Sequence, residues 1–544
     1  MKSEEVMNEE VTNEEVTNEE AINEEAINKE TVNIGFPLMK VPSVEQIRQC
    51  EEHSITHKLI SATKLMENAA TACVNLLKQR FSPSASMLAF CGMGNNGGDG
   101  LAIVRILHEN GFDCQAYIVT SREIYSRECN HQLHLLEERN IEVKKITQEE
   151  DIPSCKRYDV VIDALLGIGL NSPIEDPLLQ AVIKRINKSK SFVFAVDTPS
   201  GLYSDQPMED QQLAVEADFT LSFQFPKLGF FFPENYRYVG EWAIADINLR
   251  NRFARNMQST NYMIEHRTVK ALIRPRRKFV HKRNFGYGLL IAGNSGMIGA
   301  AVLAARAALR TGIGLLMVTV PIIGYDILLS AVNEAICRCD KNKYHFTGTD
   351  FGSLVNFNAI AIGCGLGTHP DTANGLKKLI GDFGGTIIFD ADAINILANN
   401  KTWLEFIPPN CIFTPHLKEF ERLTQKVNNS YERLELQRQF SIRHRCVVVL
   451  KGAHTSISTP QGEICFNTSG NPGMAKGGSG DVLTGMLLAL AAQGYDAVHA
   501  AIIGVYLHGL AADKALDKQS CESLLPSDII ENIGQGYKSL LENS

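Results

Sequence analysis

The sequence predicts an α/β protein of two three-layer domains in tandem, each a largely parallel sheet between helices. Three observations carry this. Short, β-rich apolar runs alternate with helical patterns along two long stretches of chain. Most of those runs end in a Gly or Asp turn, which is where ligands gather in such sheets. And 544 residues are too many for a single core.

The elements follow in order. From Asn8 a pentapeptide repeats (NEEVT, NEEVT, NEEAI, NEEAI, NKETV). A period of five keeps neither a helical nor a strand face in register, so residues 1–35 are expected to be an acidic, low-complexity, disordered tail. Folded sequence starts near Phe36, with strand runs at Met87–Cys91, Ala116–Val119, Val160–Ala164 and Phe192–Val196. The pattern loosens after Ile247, through an Arg-rich stretch ending at Ile273–Arg277. The boundary is therefore expected near residue 262, giving domains over 36–262 and 263–544. The second series of runs comprises Gly288–Ala292, Leu315–Val320, Ala359–Ile362, Thr386–Phe389 and Val447–Leu450.

Composition excludes several classes. A hydrophobic fraction of 44% and a charged fraction of 21% are those of an ordinary globular protein. A formal net charge of −9 argues against nucleic-acid or acidic-membrane binding, which need a basic footprint. The thirteen cysteines form no CxxC pair or zinc-spaced cluster. Cys91, Cys364, Cys411 and Cys446 sit in apolar runs and read as small buried hydrophobes. No apolar run is as long as a membrane span, and no apolar signal region opens the chain. A cytoplasmic protein with small-molecule substrates is expected.

After the run ending in Cys91 comes Gly92-Met93-Gly94-Asn95-Asn96-Gly97-Gly98-Asp99-Gly100, then a helix opening at Leu101. Five glycines in nine residues allow close approach of backbone amides to a ligand, or serve only the strand-to-helix turn. The two asparagines and the aspartate favour a site. Two further strand ends carry polar groups: Asp163-Ala164-Leu165-Leu166-Gly167-Ile168-Gly169 and Asp197-Thr198-Pro199-Ser200-Gly201. Oxygens of Asn96, Asp163 and Ser200 would suit a hard monovalent or divalent cation, leaving Asp197 free for acid–base work.

GNNGGDG, DALLGIG and DTPSG, in this order, resemble the N-terminal domain of the NAD(P)H-hydrate epimerases. The resemblance spans about residues 36 to 255 and implies a Rossmann-like sheet. It implies that Asn95, Asn96, Gly97, Gly98 and Asp99 contact the hydrated dinucleotide, as do Gly167, Ile168, Gly169, Leu170, Asn171, Ser172 and Pro173. It further implies potassium at Asn96, Asp163 and Ser200, with Asp197 acting on the substrate. The implied reaction interconverts R and S hydrates at C6 of the nicotinamide ring.

In the second domain the sharpest motif is Gly470-Asn471-Pro472-Gly473-Met474-Ala475-Lys476-Gly477-Gly478-Ser479-Gly480-Asp481-Val482-Leu483-Thr484-Gly485. A GGSGD loop opening a helix offers several amides to a terminal phosphate and places one carboxylate beside it, as phosphoryl transfer requires. Lys451-Gly452-Ala453-His454-Thr455 follows a buried run and could meet nucleotide phosphates. Thr414-Pro415-His416-Leu417-Lys418-Glu419 and Asp390-Ala391-Asp392-Ala393-Ile394-Asn395 also follow apolar runs. Gly293-Asn294-Ser295-Gly296-Met297-Ile298-Gly299-Ala300 precedes a helix over Ala301–Leu309, but lacks dinucleotide-fingerprint spacing, and no P-loop occurs.

Together these segments resemble the NAD(P)H-hydrate dehydratase domain, which is ribokinase-like. The resemblance implies that Ala300, Gly365, His416 and Asp481 touch the hydrate. It implies that Lys451, Gly452, Ala453, His454, Thr455 and Gly480 bind ADP, and that Asp481 also serves catalysis. ADP would enter with Mg²⁺ and leave as AMP and phosphate. The expectation is a homo-oligomeric, bifunctional repair enzyme, isomerase and lyase. Two rivals stand beside it: a small-molecule kinase of the ribokinase superfamily, and a first domain that only binds.

Overall fold

The computed structural model describes residues 38–120, 124–208, 212–249, 252–349 and 352–542. The acidic repeat lies outside the described residues. The first half contributes strands β1 (Met39–Lys40), β2 (Ser86–Cys91), β3 (Asp113–Val119), β4 (Val143–Ile146), β5 (Val160–Ala164), β6 (Phe192–Val196), β7 (Phe219–Phe223) and β8 (Glu241–Ala245). From β2 to β8 they form one seven-stranded sheet in the order β4-β3-β2-β5-β6-β7-β8, and every pairing is parallel. Strands β5 and β7 are buried along their whole length. That is the cause of their legibility as apolar runs: helices cover both faces of a parallel sheet.

The second half contributes β9 (Asn261–Met263), β10 (Tyr287–Ile291), β11 (Leu315–Val320), β12 (Ile336–Cys339), β13 (Ala359–Ile362), β14 (Thr386–Phe389), β15 (Ile412–Phe413), β16 (Val447–Leu450), β17 (Ser456–Ser458) and β18 (Ile464–Phe466). With β1 they make an eleven-stranded sheet, ordered β1-β9-β18-β17-β16-β15-β14-β13-β10-β11-β12. Strands β10 to β16 pair in parallel, whereas β17 is antiparallel to both neighbours.

Strand β1 reaches out of the first half and pairs antiparallel with β9. The boundary expected near residue 262 falls inside β9, which pairs with β18 of the second sheet. An apolar cluster joins the halves at this seam, with Val41, Phe231 and Phe232 on one side and Leu434, Ile464 and Phe466 on the other.

Two helices of the second half position its glycine motif. The helix Ile298–Arg310 starts before the expected Ala301 and packs on the helix Ser479–Ala492. A Cβ on Gly485 would fall 2.0 Å from the Ala304 carbonyl oxygen, so the last glycine of the motif is a close helix crossing. Among the described residues, no helix is long and apolar enough to cross a membrane.

Two candidate active sites

In the first sheet, β3 and β5 leave β2 on opposite sides, so a crevice opens at the carboxyl ends of β2 and β5. Gly92, Asp163 and Asp197 all arrive there from their strands. The segment Asn95–Asp99 is not a loop. The helix begins at Asn95, with Gly94 as its N-cap, well before the Leu101 start the apolar pattern suggested. The glycines explain the difference. A Cβ on Gly97 would lie 1.8 Å from the Gly92 carbonyl oxygen, and one on Gly100 would lie 2.5 Å from Ala164 Cβ. These two glycines serve the docking of the helix on the strand ends, and the docking puts its unpaired N-terminal amides at the crevice.

Asp163 is fully buried, and its partners are neutral. Ser200 Oγ donates to Oδ1 at 2.6 Å and Ser200 N to Oδ2 at 2.8 Å, while Leu165 N donates to Oδ1 at 3.3 Å. Burial pushes its pKa up to about 6, although the Ser200 and Leu165 donors pull the other way. Asn96 stands beside Gly167: a Cβ on Gly167 would lie 3.5 Å from Asn96 Oδ1, and the buried Asn96 Nδ2 has no hydrogen-bond partner among the described residues. A buried carboxylate, a hydroxyl and an amide oxygen, with no basic side chain among the described residues bonded to the carboxylate, fit a monovalent cation. Gly167 is half-buried, Gly169 to Pro173 are mostly exposed at the rim, and Arg48 reaches to within 3.2 Å of where a Gly169 Cβ would be.

Asp197 is not free, as the sequence suggested. It follows β6 with φ of 64°, a left-handed conformation uncommon for a residue with a side chain. Its Oδ1 accepts from Lys227 Nζ at 2.6 Å, Phe223 N at 2.9 Å and Ser222 Oγ at 3.4 Å. Lys227 is 1% exposed. Two further acids close the site. Burial, then the Asp197 and Glu51 charges, push the pKa of Asp99 well up. Burial, followed by the Asp197 charge, raises that of Glu51 to about 7, while Lys227 and Arg48 oppose it. Sequence reasoning missed Lys227 and Glu51. Lys227 had one weak signal, a lysine four residues beyond the end of the apolar run Phe219-Thr220-Leu221-Ser222-Phe223; Glu51, on the helix Val44–Thr56, had none.

The second site lies at the equivalent place, where β11 and β13 leave β10 on opposite sides. Gly365 has φ of 57°, and a Cβ there would lie 3.0 Å from Ala300 Cβ. Ala300 is half-exposed and Ala301 fully buried, so Ala300 is the residue that faces this crevice. Behind Gly365, Cys364 is buried as expected but not merely core: its Sγ donates to Asp390 Oδ2 at 3.5 Å. Asp390 Oδ1 accepts from Lys451 Nζ at 2.9 Å and Thr414 Oγ1 at 2.7 Å. Burial opposes the charge on Asp390, but the Lys451 ammonium and the Thr414 hydroxyl hold its pKa below the usual carboxylate value. A Cβ on Gly480 would lie 3.3 Å from Lys451 Nζ.

Asp481 stands in the first turn of the helix Ser479–Ala492, capped by Gly478 with φ of 102°. Burial, reinforced by the Asp390 charge, raises its pKa to about 6, with Lys451 among the groups opposing. Ligand atoms of Cys364, Asp390 and Asp481 lie within 4.8 Å of one another. The two carboxylates suit Mg²⁺; the thiol, its pKa driven well up by burial, does not. Ser479 Oγ and His508 Nε2 are buried beside the same turn with no hydrogen-bond partner among the described residues.

His416 is exposed and caps the helix Leu417–Leu423, its Nδ1 accepting from Lys418 N and Glu419 N. It reaches the site through a backbone bridge to Lys451. Gly452 and Thr455 bond to each other, so the turn is tied by its own ends. The His454 ring points away, toward Phe231 of the first half, with ring centroids 5.4 Å apart.

Comparison with known proteins matches both halves. The model of the NAD(P)H-hydrate dehydratase family matches residues 288–535, and that of the YjeF-related protein N-terminus matches 62–229. The "Bifunctional NAD(P)H-hydrate repair enzyme Nnr" of Moorella thermoacetica is 31% identical, over 93% of this chain and 98% of its own. The protein of the same description from Coxiella burnetii is 31% identical, over 90% and 97%. An ADP/ATP-dependent NAD(P)H-hydrate dehydratase from Bacillus subtilis, crystallised with ATP/Mg²⁺, is 30% identical over 51% of this chain and 97% of its own, with a TM-score of 0.46. With both family models matched and relatives similar along nearly their whole length, the chain belongs to the family of bifunctional NAD(P)H-hydrate repair enzymes.

Proposed function

We propose that the chain restores hydrated NADH and NADPH in two steps, epimerising R and S hydrates at nicotinamide C6 and then dehydrating the S form with ADP. Residues 36–262 carry the epimerase and 263–544 the ribokinase-like dehydratase. One observation carries the reading: each of the two sheets holds a buried carboxylate–lysine pair at the carboxyl ends of its strands, Asp197 with Lys227 and Asp390 with Lys451, the second standing beside Asp481. A kinase needs one such centre; an enzyme that must first supply the S isomer needs two.

In the first reaction C6 carries both the hydroxyl and the ring nitrogen. Asp197, fixed by Lys227, takes the hydroxyl proton; the C6–N1 bond opens to an aldehyde, and N1 receives a proton. Reclosure on the other face inverts C6. Asn95 to Asp99 and Gly167 to Pro173 hold the dinucleotide. Potassium, held by Asn96, Asp163 and Ser200, would supply a fixed positive charge beside the buried carboxylate.

In the second reaction Asp481 takes the proton of the C6 hydroxyl, whose oxygen attacks the terminal phosphorus of ADP. The bond to AMP breaks, and the amides opening the helix at Ser479 hold the transferred group. The ring nitrogen lone pair expels phosphate from C6, and loss of a proton from C5 restores the double bond. Ala300, Gly365 and His416 border the hydrate. Lys451 to Thr455, mainly by backbone, and Gly480 carry the nucleotide. Magnesium, held by Asp390 beside the phosphates, would neutralise charge on them. Thirteen cysteines, none of them in a disulfide, fit the cytoplasm.

The test is recovery of dihydronicotinamide absorbance from a mixed R/S hydrate given purified protein, ADP, Mg²⁺ and K⁺. Recovery of both isomers, faster than spontaneous epimerisation permits and dependent on nucleotide, supports both assignments. Recovery of the S fraction alone removes the epimerase; no recovery removes the dehydratase.

A further inference from the structure

A cavity of about 1360 Å³ runs between the two halves of the chain. One wall is the strand end and turn Leu450 to His454; the opposite wall is Phe231, Tyr236 and Trp242 of the first half. The walls are joined by rings. Trp242 meets Phe231 nearly at right angles at 5.5 Å, and Phe231 stacks on Phe466 at 4.4 Å. His454 lies 6.0 Å from Trp242, and its Nδ1 stands 3.1 Å from the Asn467 carbonyl oxygen. Burial pushes the His454 pKa down, so the ring sits neutral in this seam. The turn assigned to the nucleotide is thus braced from behind by the epimerase half.

We propose that this interdomain cavity receives the adenosine end of the nucleotide, with Trp242 and Tyr236 of the epimerase half forming a wall of the dehydratase's nucleotide site. The proposal rests on the assignment of Lys451 to Thr455 to ADP. Three observations carry it. Lys451, Gly452 and Ala453 line the cavity themselves, so a nucleotide whose phosphates lie at Lys451 and Gly480 has its nucleoside at the cavity mouth. The facing wall is aromatic, which suits a flat base because every base presents a π-face. Arg433 also lines the cavity, and its guanidinium, with five N–H donors of which Nη1 bonds Ser430 Oγ, brings further donors to a base nitrogen or a ribose hydroxyl. On this reading the epimerase half is more than a tethered supplier of substrate; it completes the site of the enzyme it feeds.

The chain has two tryptophans, which makes the test direct. Trp403 lies outside the cavity, beneath Lys377 Nζ at 5.4 Å from its ring centroid. Trp403→Phe in the full chain leaves Trp242 as the only indole. Titration with ADP, without hydrate, is expected to change Trp242 emission, with half-saturation at the ADP concentration that half-saturates dehydration. Emission that stays flat through that range overturns the proposal. Lys451→Met separates the two levels: if it raises the KM for ADP while Trp242 stays silent, only the wall is wrong. If it leaves that KM unchanged, the nucleotide assignment itself is wrong. Tyr236 is 73% exposed, so its replacement spares the core. Tyr236→Ala is expected to raise the KM for ADP about fivefold; an unchanged KM counts against the wall.

Discussion

Lys227 Nζ lies 2.6 Å from Asp197 Oδ1, and both groups are buried at the end of the first sheet. The pair binds two neighbouring loops, since Asp197 follows β6 and Lys227 follows β7. Lys227→Met removes the charge and keeps the length. Epimerisation is expected to fall about 100-fold, whereas dehydration of pure S hydrate keeps its rate. Breaking a buried pair costs about 3–5 kcal/mol, so loss of both reactions would signal unfolding. Asp197→Asn added to Lys227→Met is then expected to restore folding but not epimerisation. R-to-S conversion near the wild-type rate in a folded Lys227→Met protein would remove Lys227 from the mechanism.

Asp481 predicts the pH dependence of dehydration. Its pKa is raised to about 6, chiefly by burial, and the proposed role needs the carboxylate. As pH falls through about 6 the group protonates and cannot take the hydroxyl proton. The rate is expected to drop about tenfold per pH unit below that point and to be flat above it. Asp481→Asn should lower kcat about 100-fold or more and abolish this limb. An acid limb that persists in a residually active Asp481→Asn enzyme would belong to another group.

Much of this arrangement is legible in the sequence, and what is not has physical causes. The strand runs from Met87–Cys91 to Val447–Leu450 all became strands, because a parallel strand covered on both faces is a continuous apolar run. Strand β8, Glu241-Trp242-Ala243-Ile244-Ala245, ends its sheet half-buried and reads as ordinary mixed sequence. The short β1, β9, β17 and β18 carry too few residues to show a period. Helix onset at Asn95 was hidden by glycines, whose low propensity reads as loop although packing against Gly92 and Ala164 demands them. Motif-borne groups such as Asp163, Ser200 and Asp481 could be picked out; Lys227 and Glu51 reach the crevice of the first sheet from other elements. Long-range pairing of that kind leaves little local pattern: for Lys227 only a lysine shortly after an apolar run, for Glu51 nothing.

The Asp163 site predicts a pH-dependent stabilisation by potassium. Its folded-state pKa of about 6 exceeds the ordinary aspartate value of 3.8, so the native state binds the proton more tightly than the unfolded chain. Stability from this group is therefore greatest at low pH and declines as pH rises between those values, by about 3 kcal/mol in all. A cation bound to the ionised carboxylate offsets the loss. K⁺ is expected to raise Tm at pH 8 and to have little effect at pH 5, with Asp163→Asn abolishing the difference. Equal K⁺ stabilisation at both pH values, or none at either, would contradict the assignment.

Glu234 of the first half accepts from Ser430 N at 2.9 Å and from Ser430 Oγ at 2.7 Å, at the start of the helix Ser430–His444 in the second half. One domain thus supplies an anion to the positive end of a helix in the other. Arg433 lies on the first turn of that helix and lines the interdomain cavity, so the contact also sets where its guanidinium stands. Glu234→Gln keeps the shape and one acceptor but removes the charge, and is expected to cost about 1 kcal/mol, read as a lowered midpoint of urea denaturation. Salt should narrow the gap between variant and wild type, because part of the loss is the screened helix-end charge. A gap that does not change with salt would reduce the contact to an ordinary hydrogen bond.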